Sequence, residues 1–375
     1  MPCPYIKFKT ETKNDMFTKI EIENFRGISK LVLDDIKQVN LVVGKNNTGK
    51  TSILEAIFLI SGISNPQLPF NINTTRGLNF LSDKEEAFLI YHKLNYKNQL
   101  KIKAERNKQI RELKIKPHFI QTEGEITATI EKDFLGKNLL NTVLNNQPTD
   151  GYDYEIRIVN ENKQIENYKA VIYPQGLLFQ QQTPKGYVET INCSYINPSN
   201  ILLQLPQGLN EIIVNKKIDK IVEILKRIDS QIKGISVSTN GLIYCDIDLE
   251  KLIPINVMGD GVKRILSLIT TIILSKNGIV IIDEIENGFY PETLQTLWRA
   301  VFTAAKENNV QVFSTTHSYE CIEAFKDAYN YDKHPQDKEQ AKLYRLERNN
   351  ENIFNVAQYD EEMLNTATKM NWEVR

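Results

Sequence analysis

Apolar positions set the frame of the chain before any motif does. "FTKIEIENF" at residues 17–25 alternates apolar and polar side chains, the period of a strand with one buried face. "VNLVV" at 39–43 is instead a short, nearly all-apolar run, as in a strand buried on both faces, and "TSILEAIFLIS" from Thr51 changes to helical spacing. Residues 17–61 therefore predict strand, turn, strand, glycine loop and helix, the opening of an α/β domain. The same style returns over 257–317: a helix after a glycine turn, "GIVIIDE" as a central strand, a helix over "PETLQTLWRAVFTAAKENN" and a further buried strand in "VQVFSTTH". Between them, alternating segments such as "NQLKIKAE", "GEITATIEKD" and "DYEIRIVNENK", with turns at 145–148 and 174–176, predict a β-rich lobe inserted into the first half of the fold. Val214, Ile218, Ile221, Leu225 and Ile228, spaced 4, 3, 4 and 3, predict one amphipathic helix over 209–229. "KLYRLERNNENIFNVAQY" predicts a closing strand pair, followed by a short helix ending "NWEVR". The expected division is 17–64 and 236–375 as two parts of one α/β head, with 65–235 as the inserted β-rich and helical segment.

The loop between the second strand and the first helix carries the chemistry. "GKNNTGKT" from Gly44 to Thr51 has the G-x-x-x-x-G-K-T spacing of a phosphate loop in the context such a loop needs, after a strand and before a helix. Backbone N–H groups of Lys45, Asn46, Asn47, Thr48 and Ser52 and of the helix start are expected to point at phosphates. Gly44 and Gly49 permit that approach, Lys50 adds positive charge at the β- and γ-phosphates, and the Thr51 hydroxyl is placed for Mg²⁺. Four apolar residues, Ile279 to Ile282, then deliver Asp283 and Glu284 to the end of a strand, where two adjacent carboxylates are costly unless a cation or donors meet them. Asp283 is expected at the metal and Glu284 at the water that attacks the γ-phosphate. Glu286 reads as a solvated or interface acid. His317, at the end of "VQVFSTTH", reads as a γ-phosphate sensor, while His92, His118 and His334 receive no role. Asp246 and Asp248 in "YCDIDLE" read as surface acids.

Composition narrows the class. With 46 Lys+Arg, 47 Asp+Glu and a net charge of -1, the whole chain has no bulk attraction for nucleic acid, so DNA contact would need a local patch or a partner. Cys3, Cys193, Cys245 and Cys321 form no C-x-x-C pair and read as reduced thiols. "MPCPYIKFKTETKNDM" lacks the apolar core of an export signal, and the longest apolar runs fall short of the ~20 residues that cross a bilayer, so a cytoplasmic protein without a membrane partner is expected.

In order, "GKNNTGKT", "MGDGVKR", "IVIIDE" and "STTHS", with "IENFRGI" at the start, resemble the ABC-type ATPase heads of the SMC, RecF and OLD group, above all the stand-alone OLD-like proteins of bacterial anti-phage defence. The resemblance covers 17–61 and about 235–375 well and the segment between only loosely. It implies an α/β ABC-ATPase head using ATP and Mg²⁺, and heads that pair face to face around two nucleotides. "MGDGV" then stands in the place of the signature L-S-G-G-Q/E, with Met258, Gly259, Asp260, Gly261 and Val262 in those five positions, so that Gly259, Asp260 and Gly261 would meet the nucleotide of the opposite subunit. Asp260 and Gly259 depart from the pattern: a carboxylate near a γ-phosphate is unfavourable unless paired, and a hydroxyl donor is lost. ATP-dependent closure into a homodimer, or a higher oligomer, with slow hydrolysis is the expectation. The family's glutamine loop has no clear counterpart; Gln180 to Gln182 are not supported by spacing. Many OLD relatives continue into a nuclease, whereas the 58 residues after His317 leave no room for one, so the effector is expected on a separately encoded protein. Two other outcomes stay open, a RecF-like head that clamps DNA and a transporter nucleotide-binding subunit, the latter disfavoured by the degenerate signature.

Overall fold

The computed structural model describes residues 16–78, 88–118, 151–159, 165–175, 178–182, 191–202, 205–227, 229–331, 340–348 and 354–369. The all-apolar run becomes β3 (Val39–Gly44), the centre of a six-stranded sheet with β9 (Cys193–Ile196), β13 (Ile279–Ile282), β14 (Gln311–Thr315), β15 (Ala341–Arg348) and β16 (Phe354–Tyr359). Its order is β16-β15-β3-β14-β13-β9, parallel throughout except for the antiparallel β16. The alternating segments form a second sheet from β1 (Phe17–Phe25), β2 (Ile28–Leu33), β4 (Leu100–Arg106), β5 (Gln109–His118), β6 (Gly151–Val159), β7 (Ile165–Gln175) and β8 (Leu178–Gln182). It is antiparallel, in the order β2-β1-β4-β5-β6-β7-β8. A small third sheet joins β10 (Gly234–Val237), β11 (Ile243–Asp246) and β12 (Ile253–Pro254).

Helix α1 (Lys50–Ser61) lies between the two large sheets, against β1, β4 and β5 on one side and β3, β13 and β14 on the other. Its residues Ile53, Leu54, Ile57 and Ile60 join Ile20, Ile22, Ile102 and Ile156 of the antiparallel sheet in one core. After α2 (Leu68–Thr74), the helices α3 (Leu205–Val214), α4 (Ile218–Lys226), α5 (Asp260–Leu274), α6 (Pro291–Asn308) and α7 (Tyr319–Tyr331) contribute to a second core with the other face of the parallel sheet, and α8 (Glu361–Lys369) adds Leu364. Alternation explains both cores: Val280 and Ile282 of β13 enter the helical core and Ile279 and Ile281 the core around α1. Gln311 ties the sheets together at their start, accepting from the Phe17 N–H at 2.9 Å and donating to the Phe17 carbonyl at 2.8 Å.

The expected inserted lobe does not stand apart. β4 to β8 extend β1 and β2 into one sheet over α1, β9 forms an edge of the parallel sheet, and α3 and α4 pack on α5. "GEITATIEKD", the 145–148 turn and residues 370–375 lie outside the described residues. The single helix expected over 209–229 is two, broken at 215–217, where Lys216 takes φ 55° and the Lys216 and Lys217 N–H groups turn back to Ile213 and Ile212. The left-handed residue rotates the apolar stripe: Val214 is 72% exposed although its spacing matched Ile221 and Leu225. Among the described residues no helix is long and apolar enough to cross a membrane.

Candidate nucleotide site

The glycine loop leaves β3 at Gly44 (φ +149°) and enters α1 through Gly49 (φ +86°). A Cβ at Gly44 would lie 2.8 Å from both the Leu346 carbonyl oxygen and Thr48 Oγ1, so neighbouring backbone as well as the dihedral demands glycine. Thr48 Oγ1 donates to the Lys45 carbonyl at 2.8 Å and closes the loop. No side chain caps α1, which leaves its first N–H groups turned to the loop's concave side. Lys50 Nζ folds back onto the carbonyls of Gly44 (2.7 Å) and Lys45 (3.0 Å). Burial pulls this ammonium below the usual lysine value, against the attraction of Asp283, Glu286 and Glu284. Lys45, Asn46 and Asn47 are exposed on the loop, Asn47 at φ 63°, and Thr51 and Ser52 begin the helix beside Lys50.

Parallel pairing of β13 with β3's neighbour β14 brings the acidic pair to the same end of the sheet as this loop. Thr315, at the end of β14, donates from Oγ1 to Asp283 Oδ1 at 2.5 Å and accepts the Glu284 N–H at 2.9 Å. Glu284 itself takes φ 51°, a left-handed conformation that costs about 1–3 kcal/mol in a residue with a side chain. Thr315 fixes that turn, and the Glu284 carboxylate meets Asn287 Nδ2 at 3.5 Å. His317 Nδ1 lies 3.0 Å from Glu286 Oε1, which also accepts the His317 backbone N–H at 2.9 Å. Glu286, expected as a solvated or interface acid, is not solvated: it is 9% exposed and meets the half-exposed His317 side chain.

Gly259 precedes α5 and Asp260 begins it. Asp260 is exposed and pairs with Lys263 Nζ at 2.7 Å, and that hydrogen bond holds its carboxyl below the usual aspartate value. Arg264 lies against Gly288 (φ +79°), where a Cβ would come within 2.4 Å of its Nε. Asp246 ends β11 and accepts the Asp248 N–H at 3.0 Å, a local turn rather than a pair facing the phosphate loop. Gln180 to Gln182 lie on β8 of the antiparallel sheet, not in the parallel sheet that carries Asp283. The place beside Asp283 belongs to β9, whose Ile196 carbonyl accepts the Asp283 N–H at 2.8 Å.

A family model described as "AAA domain, putative AbiEii toxin, Type IV TA system" matches residues 39–323, from β3 into α7, and so contains the glycine loop, Asp260, Asp283, Glu284 and His317. The chain belongs to this family. Among relatives of this AAA-domain protein, an ATP/GTP phosphatase of Helicobacter pylori is 25% identical over 335 residues, 82% of this chain and 87% of that protein. The DNA replication and repair protein RecF of Francisella tularensis is 24% identical over 127 residues, 34% of this chain and 35% of that protein. Of solved structures, an SMC head bound to the C-winged helix domain of ScpA covers 92% of this chain and 98% of its own, at 12% identity and a TM-score of 0.49. The SMC head domain from Thermotoga maritima gives 10%, 0.46 and coverage of 92% and 99%.

Two groups of this AAA-domain protein escape sequence reasoning. Thr315 is read only as the tail of a strand, and its role needs the β13–β14 register, in which Ile282 faces Ser314. The run of Ser, Thr and Thr closing an apolar strand was the available signal. Glu55, four residues after Thr51 on α1, is 1% exposed and takes Arg26 Nε at 2.6 Å and Arg76 Nε at 2.6 Å. Arg26 also donates to Asn73 Oδ1 at 2.9 Å, so "NFRG", α1 and α2 meet on one carboxylate. A glutamate inside the apolar stretch of a helix was the signal here. His92 Nδ1 lies 2.9 Å from the Arg26 carbonyl, a contact between the segment before β4 and the turn after β1. The His118 side chain and His334 lie outside what is described.

Proposed function

We propose that this protein is an ATPase whose heads close on one another around ATP. The loop fits a triphosphate: Gly44 and Gly49 take the positive φ that lets the backbone curl into a cradle, α1 presents uncapped N–H groups, and Lys50 rests on loop carbonyls within reach of the concave side. Thr51 and Asp283 would hold Mg²⁺, which supplies charge neutralisation at the β- and γ-phosphates when bound. Lys50 leaves the carbonyls of Gly44 and Lys45 for phosphate oxygens. Glu284 orients the attacking water and accepts its proton, and His317 meets the γ-phosphate. The observation that carries this reading is the Thr315 bridge, which holds Asp283 and Glu284 at one strand end with Glu284 in a strained, half-buried turn. Strain of this kind persists where the surroundings impose it, as at sites that must aim a side chain.

Gly259, Asp260 and Gly261 would face the nucleotide of a second copy. The Asp260–Lys263 pair keeps the carboxylate's charge matched, which makes this surface tolerable to a phosphate while weakening its attraction, in accord with slow turnover. The cellular role we infer is that of a nucleotide-switched sensor or scaffold subunit in anti-phage defence, acting through a separately encoded effector such as a nuclease. Membership of a family described by a toxin and a type IV toxin–antitoxin system supports that setting. The shared segment with RecF favours a second reading, a head that grips DNA, which predicts salt-sensitive DNA binding by the ATP-bound dimer. Light scattering with Glu284→Gln and ATP tests the switch: a dimer that forms only with ATP is expected, and a monomer at every nucleotide concentration would overturn it.

A further inference from the structure

Glu286 is the one acid beside the strand end that the reading above leaves without a role. It is 9% exposed, and its Oε1 accepts the His317 backbone N–H at 2.9 Å and lies 3.0 Å from the ring Nδ1 of the same residue. Its Oε2 is buried with no hydrogen-bond partner. A buried carboxylate oxygen without a hydrogen-bond partner is costly, so its retention calls for an explanation. Because a carboxylate oxygen can only accept, the contact fixes the proton of His317 on Nδ1. The opposite edge of the ring carries Nε2, and the His317 side chain is half-exposed.

We infer that Glu286 is a positioning residue for hydrolysis, holding the His317 ring by its Nδ1 edge so that the Nε2 edge is aimed at the γ-phosphate. The inference rests on the proposed role of His317. A carboxylate that orients a histidine through Nδ1 while the other nitrogen does the work is a general arrangement, and here one oxygen, Oε1, meets both the ring Nδ1 and the backbone N–H. Glu286 lies on the turn that follows Glu284, so the water-orienting acid and the histidine are aimed by one short segment.

The test uses the full chain labelled with ¹⁵N-histidine, the His317 signals being assigned with His317→Gln. The parent should show Nδ1 protonated. In Glu286→Ala that signature should be lost and kcat should fall about 10–100-fold, as when an orienting partner is removed, with KM for ATP within twofold. Glu286→Gln, whose Oε1 can accept both bonds, should keep the fold and the Nδ1–H form and lose only severalfold in kcat. The double variant Glu286→Ala/His317→Ala should be no slower than His317→Ala alone. A slow His317→Ala together with a Glu286→Ala enzyme at the parent kcat would overturn the positioning role only. Parent turnover in His317→Ala would instead overturn the sensor role, and this inference with it.

Discussion

Replacing Glu55 by alanine removes the carboxylate on which the Arg26 turn, α1 and α2 converge. Arg26 is 8% exposed and Glu55 1%, so the substitution strands one buried guanidinium, while Arg76, 37% exposed, can turn to water. Arg26 keeps donors to Asn73 Oδ1 at 2.9 Å and the Ile72 carbonyl at 3.4 Å but has no charge partner within the cluster. Breaking one side of a buried ion pair costs about 3–5 kcal/mol. Unfolding entropy of about 2.1 cal/mol/K per residue gives roughly 0.8 kcal/mol/K for 375 residues, so Tm should fall by roughly 4–6 °C. Calorimetry of the purified protein measures this, and Glu55→Ala/Arg26→Met should recover most of the loss because the stranded charge goes with its partner. A drop below about 1 °C in the single variant, or a double variant less stable than the single, would refute the claim that charge stranding dominates.

Lys50→Ala should weaken ATP binding by roughly 10–150-fold, the value of about 1.5–3 kcal/mol for charged hydrogen bonds, as read by titration calorimetry, with Tm nearly unchanged. Burial pushes the Cys245 thiol up to about 11 and Cys321 up to about 12, whereas Cys193 is partly exposed. In a Cys3→Ser background at pH 8, Cys193 should therefore react with a thiol reagent first and the other two only on unfolding. Since both folded values are raised, their contribution to stability is complete below the unfolded thiol value near ~8.5 and is lost as pH climbs through 11 to 12. Denaturant midpoints that stay constant between pH 8 and 11 would contradict it.

Local pattern made much of this fold readable. β1, β3, β13 and β14 follow alternation or an apolar run, and the glycine loop declares itself because backbone N–H groups at a phosphate require glycine at two fixed places. What was not readable depends on register and on distant partners. Lys216 broke a helix whose apolar spacing ran on unchanged, because a left-handed residue leaves no mark in a hydrophobic pattern. The middle segment looked like a separate lobe because its strands alternate by themselves, yet the exposed edge of β1 recruits β4, a pairing that no local pattern encodes. Glu286 looked like a turn acid because sequence gives its neighbours and not the histidine 31 residues on that it holds.

The central claim is that the Asp283–Glu284 strand end hydrolyses ATP held by the glycine loop. Phosphate release by the parent and Glu284→Gln proteins, with Mg²⁺ present and with it chelated, tests it most directly. The account predicts slow, Mg²⁺-dependent release by the parent, a loss of at least about 100-fold in Glu284→Gln, and ATP binding retained by that variant. Release by Glu284→Gln at the parent rate would contradict it.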